Sequence, residues 1–243
     1  MNFDLNKKTL REVNQHLQNV DRKKNTRKFE ILNPQGQHAI CAGLKDEINV
    51  TVKGHTGYYC AGMNQKATIT VHGNVGTGVA ENMMSGKIVV KGNASQSAGA
   101  TGHGGALIIE GDASSRCGIS MKGIDIVVKG SVGHMSAFMA QKGNLVVMGD
   151  ADADLGDSIY EAKIFVKGKV KSLGADCVEK KMDKKNIDEL TKLFKNLGIK
   201  EDPKKFKRYG SSRNLYNFKI DNVGAYWRWK KILKSLKHFQ ALQ

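Results

Sequence analysis

From Val50 to Val166 the chain repeats one short hydrophobic pattern seven times. The triplets are Val50-Thr51-Val52, Ile69-Thr70-Val71, Ile88-Val89-Val90, Leu107-Ile108-Ile109, Ile126-Val127-Val128, Leu145-Val146-Val147 and Ile164-Phe165-Val166. First and third positions are always apolar and β-branched residues dominate, the signature of short strands with two inward columns. Successive triplets lie 19 residues apart, and a glycine follows each at the same step: Gly54, Gly73, Gly92, Gly111, Gly130, Gly149 and Gly168. A fixed glycine between short strands predicts a corner with positive φ. After it comes a small polar or basic residue (His55, Asn74, Asn93, Asp112, Ser131, Asp150, Lys169), and then Thr or an apolar residue.

A 19-residue coil cannot bury an apolar face alone. Coils must stack at the inter-strand spacing of ~4.8 Å, so seven make a prism ~30 Å long. The expected fold is an all-β parallel β-helix over residues 30–176, with small residues such as Gly57, Gly76, Ala61 and Ala80 filling the rest of each coil. Cys41, Cys60 and Cys117 fall in one column of that register with Val79, Ala98, Ser136 and Leu155, an inward stack of mostly small residues.

The flanks have a different period. Within residues 1–29, Leu10, Val13, Leu17 and Val20 predict an amphipathic helix over about residues 8–20, leading into a basic linker with Arg22, Lys23, Lys24, Arg27 and Lys28. Such a helix would cover the first coil or a neighbour, and an open solenoid edge otherwise invites aggregation. Residues 177–243 read as a basic helical extension. There Ile187, Leu190, Leu193, Phe194 and Leu197 outline a helix stopped by Gly198, and Tyr226, Trp229, Ile232, Leu233, Leu236 and Phe239 share a face of another. Between them residues 204–222 interleave Lys and Arg with aromatics. Arg208, Tyr209, Arg213, Tyr216, Phe218, Trp227 and Trp229 are the candidate partner-docking residues.

Composition sharpens this picture. The 243 residues hold 27 glycines and 2 prolines, too much glycine for helices and too little proline for a disordered linker. The formal charge of +16 divides as +5 over residues 1–45, zero over 46–176 and +11 over 177–243, so the basicity belongs wholly to the flanks. A basic amphipathic tail suits a partner groove, a membrane surface or nucleic acid; a partner subunit is the expectation, with no nucleic acid and no membrane. No 18-residue apolar run and no signal-peptide core is present, which makes the cytoplasm the expected compartment. Four cysteines without short paired spacing give neither a zinc signature nor a disulfide framework.

Signatures of chemistry are missing. GxxxxGK[ST], HExxH and GxSxG do not occur, and the seven histidines include no pair at ligand spacing. Asp150, Asp152, Asp154 and Asp157 alternate like a calcium loop but lack its terminal glutamate and flanking helices, so a solvated corner is expected. Catalytic, cofactor-binding and metal residues are therefore assigned to none.

The coil pattern, as in Gly54-His55-Thr56-Gly57 and Gly73-Asn74-Val75-Gly76, resembles the GXGXG domain. That is the right-handed parallel β-helix of the glutamate synthase large subunit, found also as a stand-alone subunit and in formylmethanofuran dehydrogenase. With its N-terminal helix and a tail running from Arg208 to Phe218, the chain looks most like the small stand-alone subunit of the N-methylglutamate synthase type. The resemblance implies a hetero-oligomer with a glutamine amidotransferase-like subunit and an FMN-binding barrel that also holds an iron–sulfur cluster. The implied reaction converts methylamine and glutamate to N-methylglutamate and ammonia. Asn2 follows Met1 where an amidotransferase would have cysteine, so the resemblance carries over no catalytic residue and no cofactor to this chain. Equivalent subunits of a split glutamate synthase or of formylmethanofuran dehydrogenase, or a basic-tailed RNA- or membrane-binding solenoid, are the alternatives.

Overall fold

Period-2 burial builds one continuous sheet. The computed structural model describes residues 1–20 and 27–213. Residues Met1–Ser212 form one compact unit; a second unit spans Arg213–Gln243, of which only Arg213 is described. Nine strands follow one another in parallel: β1 (Asn2–Asp4), β2 (Lys28–Leu32), β3 (Asn49–Lys53), β4 (Thr68–Val71), β5 (Lys87–Val90), β6 (Ala106–Ile109), β7 (Lys122–Val128), β8 (Lys142–Val147) and β9 (Lys163–Val166). From β3 onward the register is the sequence period itself, Val50 opposite Ile69, Ile88, Leu107, Ile126, Leu145 and Ile164 in turn. A second line of bridges at the same step joins Thr56, Val75, Ala94, Ala113, Val132, Ala151 and Val170. The result is the expected parallel β-solenoid, with both inward strand columns fully buried.

The third side of each coil uses left-handed backbone. Positive φ recurs at three alternate positions per coil: Gly78, Ala80 and Asn82, then Ser97, Gly99 and Thr101, then Arg116, Gly118 and Ser120. Most of these are not glycine. Each such residue costs roughly 1 kcal/mol, offset here by hydrogen bonds to the coils on either side, as in Ala80 N to Cys60 O and Gly99 N to Val79 O, 2.9 and 2.8 Å.

That backbone corrects two expectations. The repeating glycines from Gly73 to Gly168 do not have positive φ; only Gly54 does. They are required by close approach, because a Cβ at Gly73 would lie 2.6 Å from the carbonyl carbon and oxygen of Gly54, and the same conflict recurs up the ladder. Glycine is what lets the rungs stack at strand spacing. The polar residue after each glycine has a matching role. Asn74 Oδ1, Asn93 Oδ1, Asp112 Oδ1, Ser131 Oγ and Asp150 Oδ1 each accept the backbone N–H of the equivalent residue one rung on, at 2.7–3.0 Å. The second correction concerns Cys41, which is not in the column of Cys60. The register of the first coil is displaced there by one residue, so Ile40 stands below Cys60 and accepts the N–H of Ala61, while Cys41 takes the left-handed position (φ 59).

The ends are closed by the chain itself. Helix α1 (Leu10–Gln18) begins with a capping box between Thr9 and Glu12 and buries Val13 and Leu17. Nine residues are too few for an autonomous helix; α1 is held by Asn14, whose amide donates to Ala39 O (2.8 Å) and accepts from Cys41 N (3.0 Å), and by Gln18, which donates to Ala42 O (2.7 Å). Side-chain amides thus act as the missing rung below the first coil. The N-terminal segment was expected to be helix and linker, yet Asn2–Asp4 pairs with Glu30–Leu32 as a further rung. Arg22, Lys23 and Lys24 of the expected linker lie outside the described residues.

At the other end, residues 177–211 are not wholly helical. Strand β11 (Lys207–Ser211) inserts antiparallel between β9 and β10 (Cys177–Lys180). Helix α2 (Lys184–Leu197) starts on the Asp183 side chain and ends at left-handed Gly198, with Ile199 N bonded to Phe194 O (2.8 Å) and Gly198 N to Lys195 O. It lies across the outer face of the sheet, packing Leu190 and Phe194 on Val127, Val146 and Phe165 with Phe206 edge-on to Phe194.

Candidate functional site

The solenoid interior is a hydrophobic core. Its inward columns are filled by side chains from Phe3 to Val166. All four cysteines are reduced and buried; burial pushes the thiols of Cys60 and Cys177 up to about 11 and of Cys117 to about 12, and that of Cys41 well above its usual value. They stay protonated and unreactive at neutral pH. Cys117 lies three coils from Cys60 and Cys177 at the far end, so the set does not fit an iron–sulfur cluster.

The acidic corner is likewise committed to its own surroundings. Asp150 accepts from Lys169 N, Asp152 pairs with Lys171 at 2.9 Å, Asp154 lies 3.4 Å from His134, and Asp157 accepts from Ser158 Oγ and Ala175 N. Each carboxylate faces a different partner on a different part of the coil. Among the described residues no group of three or more His, Cys, Asp or Glu is arranged to hold a metal, and no helix is long and apolar enough to cross a membrane.

What the molecule offers instead is a shaped surface. The outward middle residue of each strand triplet changes along the solenoid: Thr51, Thr70, Val89, Ile108, Val127, Val146, Phe165. Helix α2 seals the last three, leaving beside its C-terminal end a groove of about 500 Å³. Val89, Ile108 and Met148 line it from the sheet, Leu197 and Ile199 from the helix end, and Lys87, Lys91, Lys129 and Lys200 from the rim. Glu110 bridges Lys91 and Lys129 at 3.0 and 3.1 Å, and the Lys91 hydrogen bond, with Lys129 adding to it, holds its carboxyl below the usual range. Glu201 is taken by Lys167 at 3.0 Å. At the other side of α2, burial raises the Asp125 carboxyl, which accepts from Asn144 Nδ2 (2.8 Å), and Lys163 pairs with Glu189 of the helix.

Of the expected docking residues, Arg208, Tyr209 and Arg213 are described, and each has a different environment. Tyr209 is 4% exposed inside the β11 ladder, packed into the main core, which gives it a structural place rather than a docking one. Arg208 faces the other side of the same strand, partly buried, its Nε without a hydrogen-bond partner. Arg213 is exposed. Tyr216, Phe218, Trp227 and Trp229 lie outside the described residues. Sequence reasoning missed the groove, although its signal was present: the outward column turns apolar from Val89 on, which a solvated strand face would not do.

Comparison with known proteins places these features in a family. The family model described as "GXGXG motif" matches residues 2–222. Protein GlxC of Rhizobium meliloti (strain 1021) is 58% identical over 225 residues, covering 92% of this chain and 99% of the relative. The match begins at β1 and runs past β11, beyond the coils themselves, as expected if those strands are rungs of one sheet. The family's spacing, glycines at i, i+2 and i+4, is also the spacing of the three left-handed residues in each coil, which explains why glycine suits it. The chain belongs to the GXGXG family, the glutamate-synthase-type β-solenoid that its coil pattern resembles.

Proposed function

We propose that this chain is the non-catalytic structural subunit of a cytoplasmic, FMN-dependent glutamate-synthase-like complex of the N-methylglutamate synthase type. In that assembly an amidotransferase-like subunit and an FMN-binding barrel with its iron–sulfur cluster perform the conversion of methylamine and glutamate to N-methylglutamate and ammonia. The solenoid fixes their relative positions. The observation that carries this reading is a solenoid whose four cysteines are buried in its own core and whose sheet continues into its N- and C-terminal strands, in the GXGXG family. Rigidity is its contribution, since a stacked core positions sites more accurately than a linker.

Native purification of the tagged chain from its own cells, with mass spectrometry of bound proteins and a flavin absorbance scan, tests the reading. Recovery of an amidotransferase-like and a yellow barrel subunit, with methylamine-dependent formation of N-methylglutamate that disappears when this chain is omitted, is the expected result. A colourless lone chain, or one carrying RNA, would overturn it.

A further inference from the structure

The groove beside α2 is unfinished cover. On β7–β9 the outward column is apolar and α2 lies on it; on β5 and β6 the same column continues as Val89 and Ile108 with no helix above it among the described residues. Ile108 is only 5% exposed, at the foot of the groove, while Val89 is half-buried. The rim has one sign in excess, four lysines against Glu110 and Glu201. Both glutamates are already engaged, whereas among the described residues Lys87 and Lys200 have no ion-pair partner.

From this geometry we infer that the groove is the docking site for an acidic amphipathic helix of a partner subunit, laid across β5 and β6 beside the C-terminal end of α2. The inference rests on the multi-subunit reading above. An amphipathic helix is the occupant because α2 shows how this face is covered one coil further on: two large apolar residues seated on the outward column, with the polar face to solvent. Its charge is acidic because a basic segment would meet four lysines, and like charges across an interface are strongly disfavoured. Lys87 and Lys200, on opposite walls, would hold carboxylates on the two flanks of that helix. Val89 and Ile108 would receive its apolar stripe.

Zero-length carbodiimide cross-linking of the complex reconstituted from this chain and the two expected subunits tests the inference, because it joins only amines and carboxylates already in ion-pair contact. The expected product links Lys87 or Lys200 to Asp or Glu within a helical segment of a partner subunit. In parallel, Lys87→Glu with Lys200→Glu should weaken assembly about tenfold or more in Kd. The control, Lys45→Glu with Lys66→Glu, changes the net charge equally at exposed sites away from the groove and should leave Kd within about twofold, as rim substitutions remote from an interface do. Links only to a second copy of this chain or to its own carboxylates, or wild-type binding by the groove variant, would overturn the docking site while leaving the scaffold reading intact. If neither subunit binds the unaltered chain, both readings fall together.

Discussion

At the scale of the residue, glycine does two separate jobs here, and substitution separates them. Gly36 has φ +70 with nothing within 4 Å of a would-be Cβ, so Gly36→Ala meets only backbone strain, about 1 kcal/mol. Gly73 has no such strain, but its Cβ would lie 2.6–2.8 Å from three backbone atoms of the rung below. They are backbone atoms, and the adjoining His55 is tied to the rungs on both sides, its O accepting from Gly36 N and its Nδ1 from Asn74 N, so they cannot step aside as a flexible side chain can. Gly73→Ala should therefore cost about 1–3 kcal/mol, toward the upper end, and lower Tm by roughly 3–10 °C in thermal denaturation. A loss at Gly73 no larger than at Gly36 would mean that the rungs can slide apart. The cysteines give a second residue-scale test. Cys60, Cys117 and Cys177 titrate in the folded state near 11–12, above the ordinary thiol value of about 8.5. The unfolded chain thus releases these protons first, so the thiols make stability fall as pH rises from about 8.5 toward 11–12 and contribute no pH dependence below that. Denaturant midpoints measured at about pH 7 and about pH 10 should differ in that direction. Native-state alkylation at about pH 8 should leave Cys41, Cys60 and Cys117 unmodified until the protein unfolds.

At the scale of the element, what could be read in advance depended on whether a strand carried its own period. The seven coil strands did, since both inward columns and the 19-residue step are written in residues such as Ile69, Ile88 and Leu107. Helix α2 was equally legible, down to its stop at Gly198. β1 was not: three residues, Asn-Phe-Asp, offer one buried side chain and no alternation, and their partner strand lies beyond an inserted helix. β11 was misread for the opposite reason. Lys207-Arg208-Tyr209 has the basic and aromatic composition of a docking tail, and only the edges of β9 and β10 on either side make it a strand. The groove beside α2 escaped because it is formed by a sheet face and a helix end far apart in sequence. Helix α1 provides the element-scale test. Asn14 makes two hydrogen bonds to backbone groups that no strand satisfies. Asn14→Leu keeps the branched shape and removes both; Ala39 O retains Ala42 N, but the Cys41 N–H is left unpaired, a cost of about 1–3 kcal/mol. The expected result is a lower Tm with a rise in light scattering at temperatures where the wild-type chain stays monodisperse, because an uncovered solenoid edge templates further strands.

At the scale of the whole molecule, the sheet decides where the protein ends and where its extension begins. Charge alone divides the chain near residue 177, after which 18 Lys and Arg face 7 Asp and Glu. The sheet divides it later. β11 is hydrogen-bonded on both sides, and Phe206 just before it completes the cluster under α2. Removing residues 204–243 would therefore strip both partners of that strand, expose Val127, Val146 and Phe165 at the foot of α2, and leave Tyr209's place in the core empty. That truncation should unfold the C-terminal coils and aggregate. Removing only residues 213–243 leaves every described rung paired, so Tm should match that of the full chain within a degree or two. Under the proposed function the shorter truncation is then the informative one. The segment it removes carries seven Lys and Arg against one Asp, together with Tyr216, Phe218, Trp227 and Trp229. If that segment clasps the neighbouring subunits, the 1–212 chain should fold normally yet lose at least one of them in native purification. If it retains both, their attachment rests on the solenoid surface alone, and the groove bounded by Lys87 and Lys200 becomes the place where assembly is decided.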